Sequence, residues 1–191
     1  MRLFIAAELP RQAAIAAAGL GDLLRERVTQ MAPRARLTWV APDRMHLTLR
    51  FIGHVDAAAA ERVLAVLAEP LQSAAFFLTL GQAGAYPSRG HPRVLWVGVA
   101  LGCQELQQVE REVSARIERA GIQPDDRPFS PHLTVARVHD PDGLRGAAAL
   151  DGINAPPGAG GVVDAITLFE SRLSPKGPAY TALQRTPLYR A

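Results

Sequence analysis

Cysteine is all but absent. Cys103 stands alone among 191 residues, so no internal disulfide can form and a reducing compartment is expected. Lysine is as scarce, with Lys176 the single lysine among 21 basic residues. Arginine suits bidentate contact with phosphate, but a genome-wide arginine bias gives the same count, and a net charge of +3 decides nothing. Long apolar runs are missing too. The run at residues 3–7 is stopped by Glu8 and Pro10, too short for a signal peptide or a membrane span. A cytoplasmic protein with no membrane partner is expected. There is no His-Glu-x-x-His, no pair of cysteines, no Gly-x-Ser-x-Gly elbow, and no glycine pattern for a nucleoside triphosphate or dinucleotide. Zinc hydrolysis, serine or cysteine nucleophiles, and ATP or NAD chemistry all lose their usual signature. No metal and no cofactor are expected.

What is present is a repeat. His46-Leu47-Thr48-Leu49 returns as His132-Leu133-Thr134-Val135. Both copies alternate polar and apolar residues, the period of a β-strand with one face in a core. Side chains two apart on a strand share a face, so each copy presents a His and a Thr together. A chain that sets the same polar pair on two strands is expected to bring them together.

The rest of the sequence supplies a frame for the two copies. Strands are expected at 3–9, 39–40, 46–52 and 75–80, with helices at 11–31 and at 57–69, the second capped by Asp56. Gly19 and Gly21 weaken the first helix. The breaker-rich stretch 84–92 reads as a loop. A strand at 94–101, a helix over 106–120, a loop at 123–128 and the second motif strand at 131–138 follow. Asp140-Pro141 should open a short helix to 150, and 151–161 should be a linker. Strands at 162–169 and 179–183, joined by a turn at 174–177, end the chain. The order β-α-β-α-β thus occurs twice, with the motif on the second strand of each unit. An internal duplication follows: one α+β domain over 1–191, bilobal, with pseudo-symmetric halves at about 1–83 and 92–191 around a central cleft.

Two imidazoles facing one reacting atom can act as general base and general acid in a single displacement. Repulsion disfavours protonating both, so one neutral and one charged ring is the natural resting pair. Thr48 and Thr134 can donate hydrogen bonds to an anion between the rings. A tetrahedral phosphate suits such a ring of donors. Phosphodiester cleavage without a metal is the reaction class this points to. The other histidines, His54, His91 and His139, fall at strand ends or in loops.

With these motifs the chain resembles the 2H phosphoesterase superfamily, and within it the RNA 2′,3′-cyclic phosphodiesterases of the 2′-5′ RNA ligase family. The resemblance spans the chain. It includes Arg2-Leu3-Phe4-Ile5-Ala6, Trp39, the motif strand on to Arg50-Phe51-Ile52-Gly53, Pro92 to Val99, and Pro131 to Arg137. Leu168-Phe169-Glu170-Ser171 and the segment from Leu173 to Tyr180 complete it. It implies a bilobal α+β fold with mainly antiparallel sheets and hydrolysis of an RNA or nucleoside 2′,3′-cyclic phosphate to the 2′-phosphate. It further implies that His132 activates water, that His46 protonates the departing 3′ oxygen, and that Thr48, Thr134 and Arg137 bind phosphate. The residues by themselves leave the two histidine roles open. Strict alternation sends Arg137 to the wrong face, a conflict that a β-bulge after Thr134 would resolve; Arg50 is otherwise better aimed. Tyr86 and Phe129 could stack on a base. Two other readings remain: a module that binds RNA or nucleotide phosphate without turnover, and joining of RNA ends through a 2′-5′ linkage. A monomer is expected.

Overall fold

Two motif segments with one apolar face each need a sheet whose apolar face meets helices. The computed structural model describes all residues except 126–127, 146–148, 175–176 and 190–191. In chain order it begins with β1 (Arg2–Glu8), α1 (Arg11–Met31), β2 (Arg36–Trp39), a 3-10 turn (Pro42–Arg44) and β3 (His46–His54). Next come α2 (Ala57–Val66), β4 (Phe76–Tyr86), β5 (Val94–Leu101) and α3 (Cys103–Arg119). Then follow β6 (His132–Asp140), β7 (Gly160–Val163), β8 (Ala165–Ser174) and β9 (Gly177–Pro187). None of the described helices is long and apolar enough to cross a membrane.

Several expectations shift in the structure. Gly19 and Gly21 do not interrupt α1, because Leu20, Leu24 and Val28 bury one face of it. That burial outweighs the roughly 1 kcal/mol that each glycine costs a helix. The Asp56 carboxylate accepts the Ala59 N–H at 2.7 Å and starts α2 as expected, but the helix stops at Val66. β4 runs on to Tyr86, into residues expected to form a loop. The reason is Gly84, which pairs with Trp96 across the strands; a Cβ there would lie 2.2 Å from the indole. This glycine is a bed for a ring and no turn signal. The strand expected at 162–169 is split at Asp164, since β7 pairs with β4 while β8 pairs with β1. The helix expected after Asp140 falls partly on residues 146–148, outside the described residues. Asp140 itself closes β6, its carboxylate accepting the Asp142 N–H at 3.2 Å. The turn expected at 174–177 likewise includes residues outside the described ones.

Among the described residues nine strands join in one antiparallel sheet, in the order β7-β4-β5-β6-β3-β1-β8-β9, with β2 beside β6. β3 and β6 meet through a single residue pair, Leu47 with Leu133. On one side of that junction lie β3, β1, β8 and β9; on the other lie β6, β5, β4 and β7. The two chain halves are therefore interlaced. β4, from the first half, pairs within the second group, and β8 and β9 return to complete the first. The helices cross as well: α1 packs on β4, β6 and β7, and α3 packs on β3. Leu3, Ile5, Leu47, Leu95, Val97 and Leu133, all at most 1% exposed, form the floor between sheet and helices.

One charged cluster fastens the connection after α2 to α3. The Glu112 carboxylate accepts the backbone N–H groups of Gln72 and Ser73 at 2.9 Å each and the Ser73 hydroxyl at 2.8 Å. Arg116 donates to the same carboxylate at 2.8 Å and to the carbonyls of Glu69 and Pro70 at 2.7 Å. Burial acts to raise the Glu112 pKa, but these donors outweigh it and hold the carboxyl below its usual range. Glu112→Ala is expected to cost about 2–3 kcal/mol at neutral pH, because it strands the buried Arg116 and two N–H groups. A carboxyl with a depressed folded pKa contributes fully above its unfolded value of about 4.3 and loses that contribution as pH falls through the folded value. Urea unfolding of both proteins at pH 7 and again in acid checks this: the gap should narrow in acid.

Candidate active site

The one junction pair sets the site. Leu47 and Leu133 face the helices, so His46, Thr48, His132 and Thr134 face the other way, and all four are half-buried. Extending that one antiparallel pair by a residue in each direction sets Thr134 across from His46 and Thr48 across from His132. Diagonal neighbours across such strands lie about 7–8 Å apart, somewhat less at Cβ, so the two imidazoles are set near each other on one face of adjacent strands. The two couples expected from the sequence are brought together.

Alternation then breaks in both strands at the same place. Residues 46–52 and 132–138 share one burial pattern, with two successive buried positions, Leu49-Arg50 and Val135-Ala136, before the exposed Phe51 and Arg137. The cause is a β-bulge in each strand. β1 pairs Ala6 with Thr48 and Ile5 with Arg50, passing over Leu49. β5 pairs Trp96 with Thr134 and Leu95 with Ala136, passing over Val135. One extra residue reverses which face follows. Arg137, at an odd offset from His132, thereby returns to the histidine face, and its charge acts on His46.

Arg50 goes the opposite way and corrects one expectation. It is 4% exposed and turned toward α3, donating to the Gln123 carbonyl at 2.5 Å and to the Ser114 hydroxyl at 3.4 Å. The bulge that delivers Arg137 is the same device that withdraws Arg50. Phe129 is half-buried, with its ring packed against the core. Phe51 is a residue the sequence reading missed. It pairs with Phe4, whose ring is 4.9 Å from His46, so both share the cleft face, and Phe51 is 48% exposed there. Its signal was its place five residues after the histidine, the place Arg137 holds in the second copy.

Both imidazoles are held in one tautomer. The His46 Nδ1 lies 2.8 Å from the Arg44 carbonyl, and the His132 Nδ1 lies 2.7 Å from the Ser130 carbonyl. A carbonyl only accepts, so each Nδ1 carries a proton and each Nε2 is left for chemistry. Aromatic rings collar both. Phe4 and Tyr180 flank His46, the tyrosine edge-on at 5.4 Å. Tyr86 stands edge-on to His132 at 5.2 Å, with Trp96 at 6.4 Å. Tyr86, expected as a stacking face, borders the cleft, and its hydroxyl meets the Ser130 hydroxyl at 2.9 Å. His46 is pushed below the ordinary histidine value, chiefly by burial. The Arg44 carbonyl pulls the other way, and the Arg137 cation adds to the depression.

Among the described residues no group of three or more His, Cys, Asp or Glu side chains could hold a metal ion. A cavity of about 840 Å³ opens elsewhere, beside Glu112 and Arg116. Those two groups are already paired with each other and with the chain.

The chain is similar to known proteins in sequence and in fold. The family model of the 2′-5′ RNA ligase superfamily matches residues 20–174. The RNA 2′,3′-cyclic phosphodiesterase of Aeropyrum pernix is 35% identical over 171 residues, covering 86% of this chain and 93% of the relative. The Escherichia coli protein of that name is 30% identical over 190 residues, covering 98% and 96%. Among solved structures, TT0787 of Thermus thermophilus superposes with a TM-score of 0.78 at 30% identity, covering 98% of this chain and 97% of that one. Escherichia coli LigT complexed with 3′-AMP gives 0.73 at 28% identity, with 98% and 97% covered. Matched over most of its sequence by the family model and over nearly all of its fold by these structures, the chain belongs to the 2′-5′ RNA ligase superfamily.

Proposed function

We propose that the cleft hydrolyses a 2′,3′-cyclic phosphate at an RNA or nucleoside end to the 2′-phosphate, without a metal ion. The observation that carries this reading is the pair of imidazoles, each with its Nδ1 held by a carbonyl, on adjacent strands and on the face that also carries Thr48 and Thr134. The relatives named RNA 2′,3′-cyclic phosphodiesterase support the substrate class. His132 Nε2 takes a proton from water as the water oxygen attacks phosphorus. The bond from phosphorus to the 3′ oxygen breaks, and His46 Nε2–H gives its proton to that oxygen. Thr48, Thr134 and Arg137 hold the phosphoryl oxygens as charge builds on them. Phe51 and Tyr86 offer faces to the nucleoside.

Acid duty requires His46 to be charged, yet the free protein disfavours this through burial and Arg137. The incoming phosphate anion supplies the missing balance, because it offsets Arg137 and favours an imidazolium. Arg137→Met should therefore raise the His46 pKa in the free protein, since the repelling cation is gone. Titration of the His46 ring by NMR checks the sign; an unchanged or lower value would contradict it.

The function is tested by incubating the protein with a nucleoside 2′,3′-cyclic phosphate in EDTA and identifying the product. A 2′-monophosphate is expected. Tight binding of a 2′-phosphate nucleotide with no turnover would instead mark a binding module, and activity abolished by EDTA and restored by a divalent ion would end the metal-free mechanism.

A further inference from the structure

Each imidazole in the cleft is gripped by the same local device, built from different residues. Just before β6, the residue two before the histidine is Ser130. Its carbonyl accepts from His132 Nδ1 at 2.7 Å, while its hydroxyl meets Tyr86 Oη at 2.9 Å. The Tyr86 ring then stands edge-on to His132, 5.2 Å away and at 86°. Just before β3, at the end of the 3-10 turn, the residue two before the histidine is Arg44. Its carbonyl accepts from His46 Nδ1 at 2.8 Å, while its guanidinium donates to the Pro178 carbonyl at 2.9 Å. Tyr180, two residues beyond Pro178 on β9, stands edge-on to His46, 5.4 Å away and at 83°. In both cases one residue supplies the carbonyl that fixes the tautomer and ties its side chain to the strand that carries the tyrosine. In both, the tyrosine ring blocks rotation of the imidazole from the side.

The structure assigns Tyr86 and Ser130, and on the other strand Tyr180 and Arg44, the role of positioning latches that aim the two Nε2 atoms at a shared phosphorus. They act through the histidines and take no part in proton transfer. A general base must stay within about 2.6–3.2 Å of its proton, and small errors of aim are costly. A latch with two anchor points, a ring edge and a hydrogen-bonded carbonyl, removes the two motions an imidazole on a strand retains: rotation about its own axis and tilt toward solvent. The Ser130 latch is the better one to test, because it closes through a side-chain pair that can be cut without touching the backbone. This inference rests on the proposed hydrolysis only for its kinetic readout.

The experiment uses the full chain and four variants: Tyr86→Phe, Ser130→Ala, the two combined, and Ser130→Thr. Tyr86→Phe and Ser130→Ala should each lower kcat on a nucleoside 2′,3′-cyclic phosphate by about fivefold to tenfold, with KM within about twofold. The double variant should be no slower than either single one, because both cut the same bond. Ser130→Thr, which keeps a hydroxyl, should restore the rate. In parallel, the His132 Nδ1–H resonance, followed by NMR, should broaden by faster exchange in Tyr86→Phe and return in Ser130→Thr. Full kcat in Tyr86→Phe, additive losses in the double variant, or an unaltered His132 resonance would each overturn the latch. So would losses that merely track the unfolded fraction. If the wild-type chain turns over no cyclic phosphate, the functional reading falls, while the resonance still decides the latch.

Discussion

His132→Ala should lower kcat on a cyclic phosphate by about 10²–10⁴ or more, the range that a positioned general acid or base contributes. At 25 °C this equals about 2.7–5.4 kcal/mol of lost transition-state stabilisation. His46→Ala should lose as much on the same substrate. Both variants should fold, because each ring is half-buried and the leucine next to it, Leu133 or Leu47, keeps the strand anchored at 0% or 1% exposure. KM should change little, since the phosphate is held by other groups. The two variants part company on an aryl phosphodiester whose leaving group departs without a proton. There the acid is no longer needed, so His46→Ala should recover most of its rate while His132→Ala stays slow. The opposite pattern would exchange the two roles. Equal recovery, or full activity in either variant on the natural ester, would remove the two-histidine mechanism.

The same chemistry shows what a sequence can and cannot disclose about this site. His46, Thr48, His132 and Thr134 were legible because strand alternation is a local property, and four residues of each copy obey it without a break. The bulge was legible only as a need. Arg137 had the wrong parity, and nothing in the segment from Val135 to Val138 marks where a residue drops out of register. It is decided by the partner strands, where Leu95 and Trp96 choose Ala136 and Thr134 and pass over Val135. Arg50 was misjudged for the same reason, and Phe51 was overlooked as the other half of that error. The interlacing of the halves was not legible at all. A periodic pattern says which face of β4 or β8 is apolar, yet which sheet neighbour each strand takes depends on contacts far along the chain. Gly84 is the clearest case: read alone it is a breaker, and only the indole of Trp96 above it shows why a strand needs a glycine there.

Thr48→Val and Thr134→Val should each lower kcat by about 10²–10³, the usual cost of removing one donor aimed at developing negative charge. Valine keeps the shape of threonine and suits a strand, so the loss should be chemical and the fold should hold. Ground-state binding should suffer less than the rate, because charge on the phosphoryl oxygens grows as the water oxygen bonds to phosphorus, and the donors matter most there. The two hydroxyls lie on adjacent strands, one residue beyond Leu47 and Leu133 of the pair that joins them, so each is expected to serve a different oxygen. Independent donors give a double variant whose loss approaches the product of the single losses. A double variant no worse than one single would mean that both hydroxyls serve one oxygen. Single variants with unchanged kcat and raised KM would mean that the threonines only hold the substrate. That last outcome would leave Arg137 to meet the growing charge, and Arg137→Met would then have to lose most of the rate by itself.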